Sequence, residues 1–344
     1  MSKSGEGDEI RSPNTLTNRI DMGGFSEWFL LDGNRLAAAA LVGGGIFTVF
    51  ILVSTVAFPS LQSTLQSADT VETMFSTMIG TVVTGTTLVV TISQLVISQE
   101  NGPLGDQRQR MSDAMDFRTY ATELFEEAPE ADPAEFLGQL LEVNKRRADT
   151  LEEELADGDA DSEMREEVGQ LLDSLRNNAD TALDKLQDAQ FGTFGVLNAA
   201  LDYNYSWKIY QIERLTDEFE DSLDDDQQEA FQQLETALTM FGPAREHIKT
   251  LYFQWELIDL SRYILYAAVP ALTVAGTMLA FVGSKTLPGL TLGVPNVTWV
   301  VGAAFTATLA PFLIFLTYIL RIVVVAKHTL AIGPFVLRKE YSEE

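Results

Sequence analysis

Four stretches of the 344-residue chain are apolar and free of charge for twenty residues or more: 36–58, 74–97, 263–282 and 297–320. A helix needs about 20 apolar residues to cross the hydrocarbon core, because each residue rises only about 1.5 Å and no water satisfies stray backbone groups. All four stretches therefore predict spanning helices. The first starts 35 residues in, and "FPSLQS" after it lacks the small-x-small pattern of a cleavage site, so it reads as a retained helix rather than a leader. Aromatic Phe25, Trp28 and Phe29 just before it predict a short interfacial helix.

Between the second and third stretches the apolar residues recur at intervals of three and four, the period of amphipathic helices. Asp132 and Pro133 form a start signal ahead of Phe136, Leu137, Leu140, Leu141 and Val143. Met164, Val168, Leu171, Leu175, Ala179, Ala182 and Leu186 make a second stripe; Tyr203, Trp207, Tyr210, Ile212 and Leu215 a third; Phe231, Leu234, Ala237, Leu238 and Phe241 a fourth. Ser222 or a neighbouring aspartate is expected to cap that last helix, and Gly242-Pro243 to break it, after which one helix runs from Ala244 into the third span. The predicted fold is an all-α polytopic membrane protein, with four transmembrane helices and an acidic helical bundle between the second and third. The divisions are a disordered tail (1–22), an interfacial helix (23–35), spans one and two (36–98), the bundle (99–260), spans three and four (261–326) and a C-terminal tail (327–344).

Charge sharpens this division. The chain carries a net charge of −27, and residues 99–262 hold 39 Asp/Glu against 14 Lys/Arg, so nearly the whole excess lies in the bundle. Such a surface repels nucleic acid and anionic headgroups, so neither is expected as a partner through this region. With only 8 lysines among 23 basic residues, the composition resembles that of a haloarchaeal membrane protein, whose carboxylates are screened by high salt. Basic residues also orient the spans. The loops after spans one and three hold only Lys285, whereas Arg35, Arg108, Arg110, Arg118, Arg245, Lys249, Arg262 and Arg321 flank the opposite ends. The positive-inside rule then places both termini and the bundle in the cytoplasm, in a multi-pass protein of the cell membrane.

Candidate chemistry is sparse. There is no cysteine, and the two histidines, His247 and His328, have no histidine partner at helical spacing. Asp157, Asp159 and Asp161 start like a calcium loop, but Ser162 and Val168 stand where glycine and glutamate are required, so the segment reads as a solvated turn. Gly43, Gly44 and Gly45 lack the lysine of a phosphate loop and suit close helix packing instead. No catalytic motif, cofactor site or metal site is expected, and the protein is not expected to be an enzyme.

The second span carries the informative pattern. Thr73, Thr77, Gly80, Thr84, Thr87, Thr91, Gln94 and Ser98 follow steps of four and three, so seven polar residues and one glycine share one face through the bilayer. Val82, Val89 and Val96 face the other way, toward lipid or an apolar neighbour. Polar groups in hydrocarbon must meet protein or water. Two readings follow: the stripe packs against another helix, or copies of it line a pore. In the second, Glu72 and Glu100 would form charge rings at its outer and inner ends. Pro270 and Pro311 are candidate hinges in spans three and four, and Arg321 is expected to snorkel or to meet a carboxylate such as Asp259.

The stretch 72–111 resembles the hallmark segment of a family of uncharacterised prokaryotic membrane proteins. The resemblance rests on Ser76, Thr77 and Gly80 at its opening, Ser98 and Gln99 at the end of the span, Gly102 and Pro103 in the turn, and Arg108 and Arg110 in the basic run. It implies a membrane protein without an assigned activity. The functional expectation is an integral membrane protein, a homo-oligomeric ion channel whose second span lines the pore and whose bundle gates or assembles it. The alternative is a membrane-anchored signalling or scaffold protein binding a cytoplasmic protein partner through the bundle, for which the rings of Tyr203, Tyr205, Trp207 and Tyr210 are the recognition candidates.

Overall fold

The computed structural model describes residues 24–57, 68–100, 102–157, 162–187, 189, 193–282 and 287–328. The tail at 1–22, Asp159 and Asp161, and the chain beyond 328 lie outside the described residues. The described chain separates into two compact units: residues 24–102 with Gln254–Val325, and Pro103–Phe253 with residues 326–328.

The first unit is built from apolar helices. A short helix α1 (Gly24–Glu27) passes into a wider turn at Trp28–Asp32. α2 (Arg35–Leu52) begins at Asn34, whose side-chain oxygen accepts from the Leu36 and Ala37 N–H groups at 2.9 and 3.3 Å, satisfying two of the helix's open donors. α3 (Ala68–Glu100) is longer than the hydropathy pattern suggested, so that Glu72 and Glu100 are helical. Four helices in the described chain are long and apolar enough to cross a membrane, as the pattern predicted.

These helices pack around two apolar clusters. At one end Val71 and Phe75 meet Ala275, Met278, Val297, Val301 and Ala304. At the other, Ala39 and Val89 meet Leu260, Ile264, Leu313, Ile314 and Tyr318. Of the three successive glycines only Gly43 serves close packing: a Cβ there would lie 3.3 Å from Leu313 and 3.4 Å from Thr306, while Gly44 and Gly45 face open space. Gly302 takes a similar role, since a Cβ would fall 2.9 Å from the Phe50 ring. A two-residue ribbon, Leu290–Thr291 with Val294–Pro295, turns through Leu292 and Gly293, both with positive φ, before the last helix.

The second unit is a helical bundle of α4 (Leu104–Phe125), α5 (Pro133–Asp157), α6 (Ser162–Gln187), α7 (Phe194–Asp202), α8 (Tyr205–Glu218) and the start of α9 (Asp225–Phe281). α10 (Asn296–His328) is the last helix among the described residues. Asp132 caps α5 as its sequence implied, accepting from Ala134 N–H at 2.7 Å. The cap of α9 is Asp224 rather than Ser222: its carboxylate accepts from Gln227 N–H at 2.8 Å, and the Gln227 side chain accepts in return from Asp224 N–H. All seven residues of the second predicted stripe are buried on α6.

Two expectations need correction here. The third stripe does not begin at Tyr203, because the chain turns at Tyr203-Asn204 and α8 carries only Trp207, Tyr210, Ile212 and Leu215 of it, while α7 is a separate helix before the turn. The predicted break at Gly242-Pro243 is absent, since α9 runs unbroken to Phe281. Proline costs that helix one N–H donor, and the glycine earns its place through packing: a Cβ at Gly242 would lie 3.1 Å from the Tyr205 hydroxyl and 3.3 Å from its ring. Pro270 and Pro311 likewise lie within continuous helices, the first exposed and the second buried.

Candidate functional site

α3 has two faces. Val71, Phe75, Met78, Val82, Thr86, Val89 and Ser93 recur at steps of three and four and turn toward the other apolar helices, and none of them is exposed. Thr73, Thr77, Gly80, Thr84, Thr87, Thr91, Gln94 and Ser98, in strict alternating steps of four and three, are all exposed. Of the valines expected to face lipid or an apolar neighbour, Val89 is buried in a cluster and Val82 lines a cavity, so both meet protein; the side chain of Val96 lies outside the described residues. No other part of the described chain covers the polar stripe. At Gly80 a Cβ would find nothing within 4 Å, so no neighbouring helix uses that glycine for close approach.

Five hydroxyl protons of the stripe are already engaged. Thr77 donates to the Thr73 carbonyl at 2.8 Å, Thr84 to Gly80 at 2.9 Å, Thr87 to Val83 at 2.9 Å and Thr91 to Thr87 at 2.9 Å. Ser98 donates to Leu95 at 2.8 Å. Each of these five donors is thus satisfied within its own turn, and what those positions offer outward is a ladder of oxygen lone pairs. Glu72 is exposed at one end, where an open polar hollow of about 420 Å³ lies against Glu72, Thr73, Ser76 and Thr77. Glu100 is the last residue of α3, and its side chain lies outside the described residues.

On the inward face Ser93 and Ser261 are hydrogen-bonded to each other, and each hydroxyl also lies against a carbonyl of its own helix, Val89 and Leu257, so that one donates across while the other donates back. A cavity of about 320 Å³ opens between α3 and α10, walled by Val82, Thr86, Val89, Phe305, Pro311 and Phe312. Pro311 has no N–H to give the preceding turn, so its helix tolerates one unbonded carbonyl beside this space.

A second polar cluster was only partly legible. Arg35 folds back onto the carbonyls of Phe29, Leu31 and Gly33, at 3.0, 3.1 and 2.6 Å, closing the turn that α1 leaves open. Arg321 donates to the same Leu31 and Gly33 carbonyls and pairs with Glu256 at 3.3 Å. The expected partner, Asp259, instead pairs with Arg262 at 2.9 Å. Helical phase explains the difference: Glu256 shares its face with buried Leu260 and Ile264, and Asp259 does not.

The bundle holds a buried lysine that sequence reading passed over. The Lys208 ammonium donates to the Asn178 side chain at 2.7 Å and to the Asn204 carbonyl at 3.3 Å, and lies 4.7 Å over the Tyr203 ring. Asn178 also accepts from Asn204 N–H at 3.0 Å and donates to the Asp202 carbonyl at 2.9 Å, so one asparagine holds both sides of the α7–α8 turn. Burial lowers Lys208 from 10.5 to about 7 and raises the Tyr203 phenol. Its position on the stripe of Tyr205, Ile212 and Leu215 was the available signal. Tyr203, Tyr205 and Trp207 are buried, and Tyr210 alone of that set is exposed. Among the described residues no group of three acidic or histidine side chains could hold a metal ion.

The class these features define is an all-α protein with four helices long and apolar enough to span a membrane and a separate helical unit. The chain belongs to DUF7972, a family of unknown function, which matches residues 1–344 and so includes the bundle as well as the 72–111 stretch. No curated protein and no solved structure matches the chain.

Proposed function

We propose that the protein is a homo-oligomeric membrane channel in which copies of α3 bring their polar faces together around a conduit, with the bundle on the cytoplasmic side assembling or gating it. The observation that carries this reading is the exposure of all eight stripe positions while the apolar face of the same helix is used for internal packing. A solitary chain in lipid would leave Gln94 facing hydrocarbon at a cost of roughly 2–7 kcal/mol, whereas an oligomer supplies partners or water. Because the hydroxyl protons point back to the helix, the outward oxygens suit cations, which they would partly coordinate in place of hydration water. Rings of Glu72 at the outer end and Glu100 at the inner end add negative charge, favouring the same ions.

The basic residues at one set of span ends support a cytoplasmic bundle and cytoplasmic termini. The signalling or scaffold alternative draws less support, since three of its four candidate rings lie in the bundle interior. The test is the oligomeric state of the detergent-solubilised protein, followed by cation flux through reconstituted liposomes. An oligomer with cation-selective flux is expected; a strict monomer without flux overturns the proposal.

A further inference from the structure

Three residues separate the end of α3 from the start of α4, the least covered helix of the bundle. From Leu104 to Tyr120 every side chain is exposed except Phe117, which is half-buried. Leu104, Met111 and Met115, spaced by seven and four, fall on one face of this helix. They are 83%, 64% and 51% exposed. Arg108 and Arg118 flank that line on either side, while Asp106, Asp113 and Asp116 fall on the opposite half of the helix. The acids of α4 therefore sit away from the apolar line, so this one helix face departs from the repulsion of anionic headgroups expected of a region this acidic.

Water gives such an arrangement no stabilisation, and the bundle's own core does not use it. Its chemistry is that of a helix lying in a membrane surface: an apolar line for the acyl boundary, guanidinium groups at headgroup depth for phosphate, and carboxylates turned to solvent. Its place in the chain agrees, since α3 is long and apolar enough to span a bilayer and ends three residues earlier. Arg108 forms no ion pair among the described residues, and Arg118 gives one amino group to the Pro129 carbonyl at 2.7 Å.

We propose that the first four turns of α4 dock on the anionic headgroup surface of the leaflet where α3 ends, with Leu104, Met111 and Met115 inserted and Arg108 and Arg118 on lipid phosphates. The docking rests on α3 being a membrane span and is independent of whether the stripe conducts. It would hold the bundle's entry helix to the bilayer, so that lipid charge becomes an input to the bundle.

The chain has no cysteine, so single-cysteine variants need no background removal. Met111→Cys and Met115→Cys report the apolar line and Asp113→Cys the opposite face. Each full-length variant is nitroxide-labelled and placed in phosphatidylcholine nanodiscs with and without phosphatidylglycerol, and in detergent. In discs containing phosphatidylglycerol the two line positions should collide readily with oxygen and about tenfold less than the 113 label with a water-soluble nickel chelate. Arg108→Gln should return much of the nickel accessibility. Equal nickel accessibility on both faces overturns the proposal in favour of a solvated helix. Shielding from oxygen and nickel alike, in discs and detergent, overturns it in favour of a protein partner such as a second copy. Neither result bears on flux, so failure here is separable from failure of the channel.

Discussion

Lys208 makes the stability of the bundle depend on pH in a direction that its geometry dictates. Its ammonium is fully buried, and its partners are an amide oxygen, a backbone carbonyl and a ring face, all neutral. Burial lowers the folded-state value from 10.5 to about 7. Between those two values the unfolded chain holds a proton that the folded chain has released. Stability therefore rises with pH across this window, by up to about 1.4 kcal/mol per pH unit. Below about 7 both states are charged and the native state bears the full cost, on the order of 5 kcal/mol. Lys208→Met keeps the length of the side chain and removes the charge, while Asn178 still accepts from the Asn204 N–H. Urea unfolding of the full chain in detergent, followed through the buried Trp207 between pH 6 and 10, should find the variant the more stable at pH 6. The two proteins should converge as pH rises. A difference that stays constant over this range, or wild type losing ground to the variant as pH rises, would refute the reasoning.

Other substitutions test the remaining contacts. Gln94→Leu should cut liposome cation flux about tenfold, roughly the worth of one hydrogen bond to an ion, without changing helicity by circular dichroism; unchanged flux would remove Gln94 from the conduit. Gly242→Ala should cost about 1–3 kcal/mol, because the new methyl meets Tyr205 at 3.1 Å, and Tyr205→Phe in the same chain should recover part of it. A thermal melt showing a gain, as helix propensity alone would give, counts against that account. Arg321→Leu should destabilise by about 3–5 kcal/mol by leaving Glu256 unpaired, and Arg321→Leu with Glu256→Leu should restore most of it; equal loss in single and double variants would mean that the carbonyl contacts, not the ion pair, dominate.

The long-period features were legible in the sequence because each depends on a repeated local rule. Twenty uncharged residues must lie in apolar surroundings, and steps of three and four put Met164 through Leu186 on one buried face. The order of the polar stripe from Thr73 to Ser98 follows in the same way from helical geometry alone. Short-range competition is where sequence reading failed. Gly242-Pro243 carries every local sign of a stop, but nearby Tyr205 needs the space and α9 continues. The Tyr203-Asn204 turn is invisible without Asn178, which comes from another helix.

What the sequence determined by itself was the existence of α3's polar face; what only tertiary structure decided was which way that face turns. Periodicity fixes the angle between two faces of a helix but is silent on which one neighbours will choose. Packing chose the face of Val71, Phe75, Met78 and Val89, because apolar side chains interdigitate at close range, and thereby turned the threonines outward. The pairing of Arg321 with Glu256 rather than Asp259 has the same origin: two acids one turn apart are equivalent in composition, and only the face buried against α10 tells them apart.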